Sequence, residues 1–146
     1  MLAYPVSAKP IDYSKPVFIQ PKLDGVRCLI QYDAGNVVAY SRTGKEWKNI
    51  DHILFNLVPF FRKYPNVILD GELYNHDLKD DFEKIISLVR KTKPTDEDRV
   101  ESSKMVQFHC YDIVNEDWTF EDRDLFINEN FPSIPSKVVD SLFSNL

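Results

Sequence analysis

The chain has 146 residues, 43% of them apolar and 28% charged, with a net charge of −5. That length supports one domain with a real core and excludes two ordinary ones. An acidic balance argues against a protein that grips long stretches of nucleic acid by its own bulk charge, so any such contact must be local or built on a missing part.

Residues 1–16 hold three prolines and little periodicity, and read as an extended lead-in. Met1-Leu-Ala-Tyr-Pro lacks the basic start and apolar run of a signal peptide, and no stretch reaches membrane-span length. A cytoplasmic protein is expected. Two strands, 17–20 and 26–32, are joined through Asp24-Gly25, a strong turn pair, and a second turn at residues 33–36 leads to a strand at 37–41. The result is a three-stranded antiparallel meander.

Ile50, Ile53, Leu54, Leu57, Val58 and Phe61 recur at helical spacing and predict an amphipathic helix over 50–63. A buried strand is expected at 67–74. A helix over 81–90 should turn Phe82, Ile85, Ile86 and Val89 inward. The charged run 91–103, with Pro94, reads as an exposed loop, and 105–114 as a further strand. Thr119 with Asp122 resembles a capping box that opens a helix through about residue 130. Pro132 and Pro135 break it, and a last helix is expected over 136–143. Strands interleaved with helices indicate an α+β domain of antiparallel sheet flanked by helices. Cys28 and Cys110 both fall in strands and read as a buried reduced pair, not a disulfide or a metal site.

Four short stretches at strand ends or turns carry the chemistry: Lys22-Leu23-Asp24-Gly25-Val26-Arg27, Ser41-Arg42-Thr43-Gly44, Leu69-Asp70-Gly71-Glu72-Leu73 and Phe108-His109-Cys110-Tyr111-Asp112-Ile113-Val114. Singly, each has a plain reading. The two Asp-Gly pairs are ordinary turn formers, Ser41-Arg42 is a strand leaving the core, and Tyr111 is a packing ring. Together they fit a transfer reaction. An amine nucleophile must be neutral, and nearby cations such as Arg27 and Arg42 favour a neutral Lys22. The same cations, with a divalent metal on Glu72, would neutralise a polyphosphate under attack. Tyr111 offers a ring on which a base can stack.

The set resembles the nucleotidyltransferase domain of ATP-dependent DNA ligases, which share their core with RNA ligases and messenger RNA capping enzymes. Residues 22–27 match the family's Lys-x-Asp-Gly-x-Arg motif, whose lysine takes AMP as a phosphoramidate. The resemblance implies an ATP-grasp-like fold and gives Lys22 the role of adenylated residue. Arg27 and Arg42 become catalytic and nucleotide-binding residues, Arg42 meeting phosphate or ribose of nicked DNA. Glu72 becomes the ribose or metal ligand, and Tyr111 the ring on the adenine, where Phe is commoner. Gln20 occupies a place used for reading the adenine's exocyclic amine. The fragment Phe120-Glu121-Asp122-Arg123 is similar to this family as well.

ATP and Mg2+ or Mn2+ are the implied cofactors, and nicked duplex DNA the implied partner, in replication, repair and recombination. The family continues with a Glu-Gly motif, a Lys-x-Lys motif and an OB-fold domain. Here the glycines stand at 25, 35, 44 and 71, none after a glutamate, and Lys91-Thr92-Lys93 precedes the aromatic strand. The expectation is therefore a partial adenylation domain over 1–146, without the OB-fold, inactive in joining alone and completed by a C-terminal portion, then monomeric. With 21 residues before Lys22, it resembles the compact phage and viral type, which would act in the host cytoplasm. A GTP-using capping enzyme, an RNA ligase and a non-catalytic remnant are the alternatives.

Overall fold

The computed structural model describes residues 25–78, 82–131 and, for the backbone alone, 138–140. Among these, β1 (Val26–Asp33), β2 (Asn36–Tyr40), α1 (Asp51–Lys63), β3 (Leu69–Tyr74), α2 (Phe82–Val89), α3 (Asp96–Met105), β4 (Gln107–Ile113), α4 (Phe120–Asn130) and β5 (Val138–Asp140) follow in order. The strands form one sheet in the order β2-β1-β3-β4-β5. Its first four strands are antiparallel, and β5 runs parallel to β4. The α+β expectation holds.

The β1–β2 hairpin turns where the sequence places it. Asp33 pairs with Asn36, and the two residues between them, Ala34 and Gly35, have φ of 49° and 85°. Two successive positive φ values match the right-handed twist of the flanking strands. The other two pieces of the expected meander, the strand 17–20 and the turn at Asp24, lie outside the described residues.

One face of the sheet makes the core. Cys28 and Ile30 of β1, Leu69 and Leu73 of β3, and Phe108 and Cys110 of β4 are fully buried there with Ile53, Leu57 and Phe61 of α1. Each such aliphatic or aromatic side chain contributes about 1.5–3 kcal/mol by leaving water. Phe60 fixes the end of α1 to α4: its ring centroid lies 6.0 Å from that of Phe126 and 5.7 Å from that of Phe131. Cys28 and Cys110 are both buried and form no disulfide, and burial pushes the Cys28 thiol well above its ordinary range. No described helix is long and apolar enough to cross a membrane.

Three expectations fail. The run 91–103 is not a loop throughout, because α3 occupies Asp96–Met105. Thr95 Oγ1 accepts from the Asp98 amide at 3.2 Å and the Asp98 carboxylate accepts from the Thr95 amide at 2.9 Å, a reciprocal cap placed just after Pro94. The helix has no apolar stripe to read. Its buried residue is Ser102, whose hydroxyl donates to the Asn49 carbonyl, while Asn49 Nδ2 donates to the carbonyls of Leu88 and Asp98 at 3.1 Å each.

In α2 the inward stripe is Ile85, Leu88 and Val89, with Ile86 half-buried, and Phe82 at the helix start is exposed. Residues 138–140 are strand and not helix, because β4 offers an edge along which Val138 to Asp140 pair with Phe108 to Cys110. Two successive β-branched residues favour that extended backbone.

Candidate active site

Opposite the core, the alternation of β1, β3 and β4 gathers polar residues. Arg27 is in register with Glu72, and Glu72 with His109. Arg27 also makes a two-point contact with Asp70, Nε to Oδ1 at 3.1 Å and Nη2 to Oδ2 at 2.7 Å. The Asp70 hydrogen bond raises the Arg27 pKa further, so the guanidinium stays charged.

Asp70-Gly71 is thus no turn. Both residues lie inside β3, between β1 and β4. Gly71 is required by close approach: a Cβ there would overlap the His109 carbonyl oxygen and stand 2.8 Å from the Phe108 ring. At this point the register shifts, Gly71 pairing with Cys110 and Asp70 with Asp112, so that Tyr111 is the extra residue of β4.

Glu72 sits at the meeting point. The Tyr111 hydroxyl donates to its Oε1 at 3.4 Å. Its Oε2 lies 3.2 Å from where a Cβ on Gly25 would stand. Gly25 is the first described residue of the Lys22 motif, so the carboxylate abuts the segment that carries the lysine. Any side chain at position 25 would also overlap the Leu73 carbonyl. Lys22 and Gln20 themselves lie outside the described residues. Burial first, then the charges of Asp70 and Glu72, push the Tyr111 phenol well up, so it remains a neutral donor.

Arg42 stands apart from this group. It is exposed in a tight turn closed by the Gly44 amide donating to the Ser41 carbonyl at 3.0 Å, with Gly44 at φ 90°. The Ser41 side chain braces the turn by accepting from the Lys45 amide at 3.0 Å. The turn is tied to β1 through Trp47, whose indole N–H donates to the Arg27 carbonyl at 3.1 Å.

Three roles are not legible in the sequence. Asp70 is the partner of Arg27, a role signalled only by its position two residues before Glu72 on the same strand face. His109 is held neutral, its pKa lowered to about 4 by burial and then by His76. Its Nε2 is 2.9 Å from Gln107 Oε1 and its ring meets Tyr74 edge-on at 5.4 Å. Asp112 accepts from Arg123 Nε at 2.7 Å.

Among the described residues no group of three or more His, Cys, Asp or Glu could hold a metal ion. Asp70 is engaged by Arg27, and Glu72, which accepts from the Tyr111 hydroxyl, is the carboxylate beside the Lys22 motif. That fits a magnesium-type ion, which usually takes one or two carboxylates and completes its shell with phosphate oxygens and water.

The described residues thus form an α+β domain with a polar sheet face opposite its core. A family model, ATP dependent DNA ligase domain, matches residues 1–142. No curated protein matches the sequence. A solved structure described as "Pmar-Lig_Pre." shares the fold at a TM-score of 0.67 and 21% identity, over 95% of this chain and 33% of that one. Another, described as "DNA binding with a minimal scaffold: Structure-function analysis of Lig E DNA ligases", does so at 0.66 and 20%, over 95% of this chain and 48% of that one. The chain therefore spans a third to a half of those proteins' lengths. It belongs to the ATP-dependent DNA ligase domain family.

Proposed function

We propose that the chain is the lysine-bearing part of a DNA ligase adenylation domain, and that its polar sheet face binds ATP. The observation that carries this reading is the approach of Glu72 to Gly25, which joins the Lys22 motif to the carboxylate and ring of β3 and β4. Lys22 Nζ attacks the α-phosphate of ATP, a P–N bond forms, and pyrophosphate leaves. AMP then passes to the 5′-phosphate of nicked duplex DNA, and the 3′-hydroxyl displaces it to close the strand.

Arg27, pinned by Asp70, presents its charge to ribose or phosphate without having to be ordered at the moment of reaction. This revises the simplest electrostatic role, since Asp70 offsets much of the field by which Arg27 would favour a neutral Lys22. Tyr111 stacks on the adenine and Gln20 reads its amine. The exposed Arg42 turn meets the DNA backbone, where a local cation suffices despite the acidic whole. A Mg2+ or Mn2+ ion on Glu72 would supply charge neutralisation at the phosphates.

Lys91-Thr92-Lys93 does not substitute for the family's lysine pair, because it precedes β4 and stands beside Pro94. Residues 1–146 alone should fold at least partly and fail to join nicks. Losing one preorganised donor typically costs about 10²–10³ in rate, and a pair costs more. The complete protein would be a monomer working in the cytoplasm. To test the assignment, full-length protein is incubated with labelled ATP or GTP and the adduct is mapped. Label from ATP on Lys22 is expected, whereas label from GTP would indicate a capping enzyme. A nicked duplex sealed robustly by residues 1–146 would contradict the expectation that these residues do not join strands by themselves.

A further inference from the structure

Tyr111 sits in a bulge, and the bulge is held from one side by a partly buried ion pair. Asp112, the next residue, accepts from Arg123 Nε at 2.7 Å and from the Ile113 amide at 2.8 Å. Arg123 Nη1 also donates to the Trp118 carbonyl at 2.7 Å and to the Asn115 carbonyl at 3.5 Å. Its guanidinium stands 5.4 Å from the Phe120 ring centroid. The two side chains are only 14% and 13% exposed. One guanidinium thus fastens the end of β4, the connecting loop and the first turn of α4.

The opposing strand adds a constraint. Asp112 is in register with Asp70, and like charges directly opposite repel. Each carboxylate is compensated by its own arginine, Asp70 by Arg27 and Asp112 by Arg123. Removing Arg123 would leave Asp112 largely shielded from water, charged and opposite Asp70. The strand would relieve this by moving Asp112 toward water, which means relaxing the bulge that contains Tyr111.

We propose that Arg123 is a positioning residue for nucleotide binding: by clamping Asp112 to α4 it holds the β4 bulge in the form that aims Tyr111 at Glu72. The proposal rests on the reading of Tyr111 as the ring that stacks on the base. Arg123 touches no nucleotide itself.

The test is a set of ATP dissociation constants for the full-length protein and its Arg123→Met, Asp112→Asn, Tyr111→Ala and Tyr111→Ala/Arg123→Met variants. Full loss of a stacking ring corresponds to roughly 5- to 150-fold. Arg123→Met should weaken ATP about tenfold, within that range, and Asp112→Asn less, near its lower end, because it weakens the clamp without leaving a charge opposite Asp70. The double variant should bind no more weakly than Tyr111→Ala alone, because without the ring there is nothing left to aim. Should Arg123→Met fail to fold, the isosteric Asp112→Asn carries the same comparison. Weakened binding in Tyr111→Ala with unchanged binding in the clamp variants would overturn the positioning role alone. Losses that multiply in the double variant would overturn it as well. Unaltered binding in Tyr111→Ala would overturn the stacking reading, and the positioning role with it.

Discussion

Arg27 and Asp70 meet across β1 and β3 through two parallel hydrogen bonds, with the carboxylate 2% exposed and the guanidinium side chain 26% exposed. The asymmetry of exposure sets the order of damage. Arg27→Met strands a buried charge, whereas Asp70→Asn leaves a neutral amide facing an arginine that still reaches water. Breaking a fully buried pair costs about 3–5 kcal/mol. Arg27→Met should therefore cost about 3 kcal/mol and Asp70→Asn about 1–2. Urea unfolding of both variants checks the ranking. A larger loss in Asp70→Asn would show that the arginine, and not the carboxylate, is the group that cannot stand alone.

Gly71→Ala should be among the most damaging single-methyl changes in the chain. The new Cβ would overlap the His109 carbonyl, and backbone cannot yield as a flexible side chain does. About 3 kcal/mol is expected, the upper part of the overpacking range. Gly35→Ala meets nothing within 4 Å and suffers only its positive φ of 85°, which costs about 1–2 kcal/mol. Equal losses in the two variants would mean that β3 and β4 can separate at the register shift.

Thr95→Ala removes one half of the α3 cap and should cost about 1 kcal/mol. The Asp98 half responds to pH. The Thr95 amide, and after it Lys91, hold the Asp98 pKa below 3.8. A carboxylate lowered on folding contributes stability above its unfolded pKa, and loses it as pH falls through the folded value. The stability difference between the natural protein and Asp98→Asn should thus be constant from neutrality down to the ordinary carboxylate range and vanish below it. A difference that persists in stronger acid would rule out the ionised cap.

Tyr111→Phe should be nearly silent for ATP binding, because the hydroxyl contact with Glu72 is long at 3.4 Å. Tyr111→Ala should cost about 1–3 kcal/mol of nucleotide binding if the ring stacks on the base. Isothermal titration with ATP separates the two. Affinity lost equally in both variants would give the hydroxyl, and not the ring, the main part.

What the sequence shows and what it hides divide along physical lines. α1, α4 and the β1–β2 turn were legible because apolar periodicity, a Thr cap and a glycine at positive φ are local signals. α3 was not, since its buried contact is a hydroxyl on a backbone carbonyl and leaves no apolar trace. The parallel strand at 138–140 depends on an edge contributed by β4, about thirty residues earlier, a non-local partner that no short window displays. In the site, the motifs single out Glu72 and Tyr111, and the structure shows their side chains in contact at 3.4 Å. Asp70 hid inside an Asp-Gly pair that reads as a turn until β1 and β4 are placed on either side of it. The Asp112–Arg123 pair hid because it joins a strand end to a helix across a loop.

The central claim is that Lys22 is the residue that takes AMP. Full-length protein is incubated with α-labelled ATP and a divalent metal, digested, and the labelled peptide is sequenced, beside Lys22→Ala and Lys22→Arg variants. The account predicts an acid-labile adduct on Lys22, absent from both variants, since a guanidinium stays protonated and cannot attack. Label that persists in Lys22→Ala would contradict it.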